Sequence, residues 1–294
     1  MESFQIDFIG IGFAKCGTTT VANLLDEHPE ICMSVPKEVQ YFNPKRSFYH
    51  KPIENSNYQR GSLWYQNHWA HQKNEHLKGE ISPQYIQSVT SLERIKRDQP
   101  QAKILIFLRN PADIAFSFYS MAVHHHQVKL CTFSEAIRSN ENIRERMFLG
   151  EKVKNCAHLF PNSQVHYFVL EDFMNDRSET IKSLYKFLGV DSEFIPPSLN
   201  LVFNAASSSR YSWLRKSENI LVSFLSGLGL TTLVKTLKTW RGIQKIQQLN
   251  AKKLEKPELP MEDRKYIYEQ VKVDVKMLEK IVGRDLSFWL KMKI

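Results

Sequence analysis

Two short stretches of this 294-residue chain carry the residue types needed to hold an anion. The first is Gly12-Phe13-Ala14-Lys15-Cys16-Gly17-Thr18-Thr19-Thr20. It joins an apolar run to a stretch of helical character. Loop amides and a helix N-terminus there converge on one spot that suits a phosphate. The glycine spacing matches the nucleoside-triphosphatase loop G-x-x-x-x-G-K-[ST]. Thr18, however, stands where that loop carries its lysine, and a lysine lies inside the loop instead, at Lys15. The strongest strand candidate runs into Leu108-Arg109-Asn110, with no acidic residue to hold a metal–triphosphate. The second stretch is Arg109-Asn110-Pro111-Ala112-Asp113-Ile114-Ala115-Phe116-Ser117-Phe118-Tyr119. An Arg at a strand's C-terminal end gives a forked charged contact, and Ser117 on the following helix gives a hydroxyl donor. Together they can hold a second phosphate. A third element, Lys37-Glu38-Val39-Gln40-Tyr41-Phe42, follows a strand and Pro36, so it can face the same cleft.

These residues need a scaffold that brings strand ends together. Phe4 to Phe13 is a continuous apolar run, as expected of a strand buried on both faces of a parallel sheet. Thr18 to Leu25 reads as a helix ending before His28-Pro29, and Ile31 to Val35 as a second strand. Residues 43–79 read as loop and short helix. A helix is expected after Pro83 through Ile95, and a strand from Ala102 to Leu108. Pro111 can open the next helix in its first turn. Gln164 to Leu170 is a third strong strand. Asp172 is expected to cap a helix running to Leu188, with Gly189 as its terminator. Met261 to Leu290 has mostly helical spacing. Strands alternating with helices predict an α/β fold with a central, mainly parallel sheet flanked by helices. Ligands of such sheets sit beyond the C-terminal ends of the strands. No polar linker divides the chain, so a single domain over 1–294 is expected.

Composition agrees. Hydrophobic residues are 42% and charged residues 24%, the balance of an ordered globular chain rather than a disordered one. The four cysteines, at 16, 32, 131 and 156, show no metal-type spacing. The absence of a basic-then-apolar leader and of any Asn-x-Ser/Thr sequon leads to an expected cytoplasmic location.

The loop at Gly12–Thr20 resembles the 5′-phosphosulfate loop of sulfotransferases that use 3′-phosphoadenosine 5′-phosphosulfate (PAPS). The resemblance implies that Lys15, Cys16, Gly17, Thr18, Thr19 and Thr20 cradle the phosphosulfate. The segment from Arg109 resembles the family's 3′-phosphate motif, which assigns Arg109 and Ser117 to that phosphate. Lys37-Glu38-Val39-Gln40-Tyr41-Phe42 is similar to the Lys-Glu-x-x-Phe-Phe stretch of heparan-sulfate-type and related bacterial sulfotransferases. There the glutamate is the general base, which implies that Glu38 takes the acceptor proton while Lys37 orients the acceptor or shares charge. Gly79-Glu80-Ile81-Ser82-Pro83-Gln84-Tyr85 is similar to a Gly-Glu-Lys-Ser-Pro-x-Tyr segment, with Ile81 where lysine is common. Leu170-Glu171-Asp172-Phe173 and Phe187-Leu188-Gly189-Val190 resemble structural landmarks. Asn204 to Arg210 resembles a late segment that closes over the nucleotide, which makes Arg210 a donor contact. The family implies a P-loop-like three-layer fold, PAPS as co-substrate, no metal, and a hydroxyl- or amine-bearing acceptor such as a carbohydrate or glycolipid.

Three features lie outside that pattern. His124-His125-His126 on a helix would point about 100° apart, which does not suit one metal ion. Residues 219–254 contain six Lys or Arg and no Asp or Glu. They form part of an apolar-rich basic helical segment expected at about 215–256. Such a segment suits peripheral contact with an anionic membrane, an anionic glycan, or a solvated helix face. The net charge of +9 also fits nucleic acid, but no nucleic-acid motif accompanies it, and none is expected as a partner. The competing readings are a P-loop nucleotide phosphotransferase and a non-catalytic binder of anionic glycans.

Overall fold

The computed structural model describes residues 4–46, 53–124, 132–201, 207–209, 251–253 and 258–291. The core is a five-stranded, all-parallel sheet in the order β2-β5-β1-β6-β7. Its strands are β1 (Phe8–Gly12), β2 (Ile31–Met33), β5 (Leu77–Ile81), β6 (Lys103–Leu108) and β7 (Val165–Val169). β1 is buried along its whole length between β5 and β6. That is the environment its unbroken apolar sequence calls for. β3 (Lys45–Arg46) pairs antiparallel with β4 (Ile53–Glu54), and β8 (Ser207–Ser209) with β9 (Ala251–Lys253).

Among the described residues the helices are α1 (Thr18–Asp26), α2 (Gly61–Gln66), α3 (Val89–Asp98), α4 (Pro111–His124), α5 (Phe133–Ser139), α6 (Glu141–Arg144), α7 (Gly150–Leu159), α8 (Leu170–Asn175), α9 (Arg177–Leu188) and α10 (Met261–Val282). α10 is tied to the body of the fold at two points, one near its start and one at its middle. Asp274 accepts from the amides of Leu149 and Gly150 at 2.8 and 2.9 Å. Arg264 donates to Asp113 on α4 at 2.9 Å.

The expected α/β architecture with a mainly parallel sheet is the observed one. Four local readings change. The strand at 77–81 was expected as loop, because Lys78 and the fully buried Glu80 interrupt its apolar pattern. The helix expected after Pro83 is a short 3-10 turn, Tyr85–Gln87, followed by α3. Ser88 caps α3 by accepting from Ser91 N. The helix expected from Asp172 is two helices. Asp176, not Asp172, caps the second by accepting from Glu179 N at 3.0 Å, and Gly189 ends it at φ 86°. Of the basic segment expected to be helical, only 251–253 lie among the described residues, and they form β9. His125, His126, Arg210 and the rest of 219–254 lie outside the described residues, and His124 is the last residue of α4.

Candidate active site

The ends of β1, β2, β5 and β6 carry the candidate residues. All four strands run the same way, so their C-terminal ends meet on one edge of the sheet. The loop from β1 to α1 turns sharply. Phe13 N donates to Phe107 O at 2.7 Å, and both Lys15 and Gly17 take positive φ, at 70° and 81°. Gly17 suits this position chiefly by its backbone. Its φ disfavours a side chain, and a Cβ would lie 2.9 Å from Leu170 Cδ1. Gly17 O accepts from Val21 N at 3.1 Å, the first bond of α1. The amides of Thr18, Thr19 and Thr20 therefore have no acceptor within their own helix, and no side chain caps them. Such an uncapped end of a nine-residue helix is able to hold an anion.

Three cations lie on or against the loop and the helix it opens. Lys15 Nζ lies 3.4 Å from Met121 Sδ on α4. Ser117 is four residues before Met121, so it shares the face of α4 that meets the loop. Arg109 Nη1 donates to Lys15 O at 2.9 Å, bracing the loop in its left-handed turn. Lys37 Nζ lies 3.4 Å from Thr18 Oγ1 and 3.1 Å from Glu38 Oε1. Burial pushes the Lys37 ammonium down from its ordinary value, and the Glu38 charge opposes that. Cys16 differs from the other loop residues. Its side chain is fully buried, its thiol is pushed well up by that burial, and Sγ lies 3.6 Å from Ala14 O. Only the backbone of Cys16 is left to contact a ligand.

Glu38 holds a different kind of position. Its side chain is 34% exposed. One carboxylate oxygen takes Lys37, and the other takes Gln40 Nε2 at 3.1 Å. The turn beneath it is pinned from several elements. Asn57 Nδ2 donates to Val39 O at 3.0 Å, and Asn55 Nδ2 to Gln40 O at 2.6 Å. The amides of Gln40 and Tyr41 donate to Ser82 Oγ at 3.2 Å and Tyr85 Oη at 2.8 Å. The structure thus brings together Lys15, Gly17, Thr18, Lys37, Glu38, Arg109 and Ser117, and it links Glu38 to the head of α1 through Lys37.

Two supports were not read from the sequence. Asn110 caps α4 by accepting from Ala112 N at 2.9 Å, and its own amide donates to Glu171 Oε1 at 2.8 Å. Asn110 Nδ2 reaches Trp289 O at 2.9 Å and Tyr268 Oη at 3.3 Å. The last described segment therefore braces the Arg109 turn. An Asn-Pro pair at a helix start is the one local signal that could have marked this cap. The second support is Glu80, whose burial inside a strand no local pattern announces.

The geometry defines a P-loop-like α/β domain with basic side chains along the loop that opens α1 and an accessible carboxylate beside it. A family model described as the sulfotransferase domain matches residues 5–225, and the chain belongs to the sulfotransferase family. It is 32% identical over 120 residues to the membrane-associated sulfotransferase kil1 of Dictyostelium discoideum, covering 40% of this chain and 23% of that protein. Over 203 residues it is 26% identical to human bifunctional heparan sulfate N-deacetylase/N-sulfotransferase 2, covering 62% of this chain and 22% of that protein. The chain thus spans less than a quarter of the length of these curated relatives. A crystal structure of a sulfotransferase from Alicyclobacillus acidocaldarius shares the fold, with a TM-score of 0.70 at 23% identity over 97% of this chain and 99% of that one. No described helix is long and apolar enough to cross a membrane.

Proposed function

We propose that the chain transfers the sulfuryl group of PAPS to a hydroxyl or amino group of an acceptor. The observation that carries this reading is Lys37, which stands between Glu38 and Thr18. It joins a carboxylate able to take a proton to the helix end able to hold the phosphosulfate. In the reaction the acceptor oxygen or nitrogen attacks sulfur, and the bond from sulfur to the bridging oxygen of the 5′-phosphate breaks. The leaving 3′-phosphoadenosine 5′-phosphate (PAP) keeps that bond's electron pair, and the acceptor proton passes to Glu38. Lys15, Lys37 and the amides of Gly17 to Thr20 stabilise charge on the transferring group and the bridging oxygen. Arg109 and Ser117 hold the 3′-phosphate, with Arg210 as a further donor contact. These cations and amides supply charge stabilisation without a metal.

A carbohydrate or glycolipid acceptor is supported by the relatives named for heparan sulfate N-sulfation. A single domain over 1–294 is supported by the bonds that tie α10 and Trp289 to the site's own elements. The location that goes with this reading is cytoplasmic, with peripheral membrane contact through 219–254. Family membership weighs against the nucleotide phosphotransferase.

Calorimetric titration with PAP in the absence of magnesium, with ADP as control, tests the donor assignment. Binding of PAP at least about tenfold tighter than ADP is expected. Equal affinities, or no binding of PAP by folded protein, would remove the 3′-phosphate site and restore the glycan-binder reading.

A further inference from the structure

Glu80 is fully buried, yet the reaction as described leaves it unused. Its surroundings are built around a carboxylate. Oε1 accepts from Tyr65 Oη of α2 at 2.7 Å and from Tyr85 Oη of the following 3-10 turn at 3.0 Å. Oε2 accepts from Ser82 Oγ, at the end of its own strand, at 2.8 Å. The backbone of Val39 faces it from the Lys37–Phe42 segment. Two of the three hydroxyls pass the contact on. Ser82 Oγ accepts from the amide of Gln40, and Tyr85 Oη from the amides of Tyr41, at 2.8 Å, and Phe42, at 3.4 Å.

The hydrogen-bond directions are set by this arrangement. A hydroxyl whose hydrogen is given to the carboxylate turns its lone pairs outward, where these three amides find them. A neutral carboxyl has a hydrogen of its own to place, and it competes with those amides for the same hydroxyl oxygens. We propose that Glu80 is a positioning residue for Glu38: its carboxylate orients Ser82 and Tyr85 so that they fix the Gln40–Tyr41 turn from which Glu38 reaches the cleft. Gln40 is the link to the reaction, because its Nε2 also holds Glu38 Oε2. The inference rests on Glu38 acting as the base. Burial pushes the Glu80 carboxyl up to about 7 against the pull of its three hydroxyl donors. The two states of the hub therefore exchange near neutral pH, and the turn is held best above that value.

The test combines amide NMR with turnover. In wild-type protein, the amide signals of Gln40 and Tyr41 are followed from about pH 5.5 to about pH 8.5. They are expected to titrate together with a midpoint near that of Glu80, and E80Q is expected to abolish that titration. Ser82→Ala keeps the carboxylate, so Tyr41 should go on titrating while Gln40 stops; this variant decides the matter if E80Q does not fold. PAP affinity of E80Q should stay within about threefold of wild type. Sulfuryl transfer from PAPS to N-desulfated heparin should show a kcat for E80Q lower by about tenfold to a hundredfold at the alkaline end, with KM for PAPS unchanged. Flat amide shifts in the wild type, a titration that survives in E80Q, or wild-type kcat in E80Q would each overturn the assignment. Failure of the donor reading shows separately, as loss of PAP binding in the wild type.

Discussion

The proposed donor side and the proposed acceptor side of this cleft are built in different ways. On the donor side, backbone does most of the work. β1 delivers the chain into a left-handed turn at Lys15 and Gly17, α1 opens with unclaimed amides, and Arg109 locks the turn through a carbonyl. On the acceptor side, side chains do it. Glu38 sits on a turn held by Asn55, Asn57, Ser82 and Tyr85, the last two bonded to one buried glutamate. A site made of backbone is compact in sequence and tolerant of neutral pH changes. A site made of hydroxyls around a carboxylate is dispersed in sequence and takes its geometry from a proton.

That contrast can be broken at its largest point by Lys15→Ala. If the donor side carries the charge of the transferring group, turnover should fall by about a hundredfold or more, the scale of a lost oxyanion donor. Steady-state transfer from PAPS measures it, and near-normal turnover would remove Lys15 from the chemistry.

A smaller effect concerns stability, and its sign differs from that of activity. The Glu80 carboxyl sits near 4.5 when unfolded and is raised to about 7 in the folded protein. The native state therefore binds more protons between those values. The contribution is fully present below the unfolded value and is lost as pH rises through the folded one, by at most about 3 kcal/mol. Urea midpoints should be higher at about pH 6 than at about pH 8. E80Q should flatten the difference, and an unchanged slope in that variant would assign the effect to another group. Acidification is thus expected to stabilise the fold while loosening the turn that serves Glu38.

The same contrast explains what the sequence made legible. β1 and β6 are buried apolar runs, and β7 reads almost as clearly, so the parallel sheet could be anticipated. The Gly12–Thr20 and Arg109–Tyr119 stretches are contiguous, so their chemistry stands in the order of their letters. β5 was hidden because Lys78 and Glu80 break its pattern, and only the tertiary burial of Glu80 explains a charged residue in a central strand. The role of Asn110 depended on Tyr268 and Trp289, more than 150 residues away. Cys16 belonged to the loop by position but to the core by packing, since its side chain is fully buried. Local motifs were readable; networks assembled by the fold were not.

The central claim is that one cleft holds the donor through the loop and activates the acceptor through Glu38. The most direct measurement is a paired assay of Glu38→Gln, with PAP affinity by calorimetry beside sulfuryl transfer from PAPS. PAP affinity is expected within about threefold of wild type and turnover reduced by about a hundredfold or more, the range for a lost general base. Wild-type turnover in that variant would contradict it.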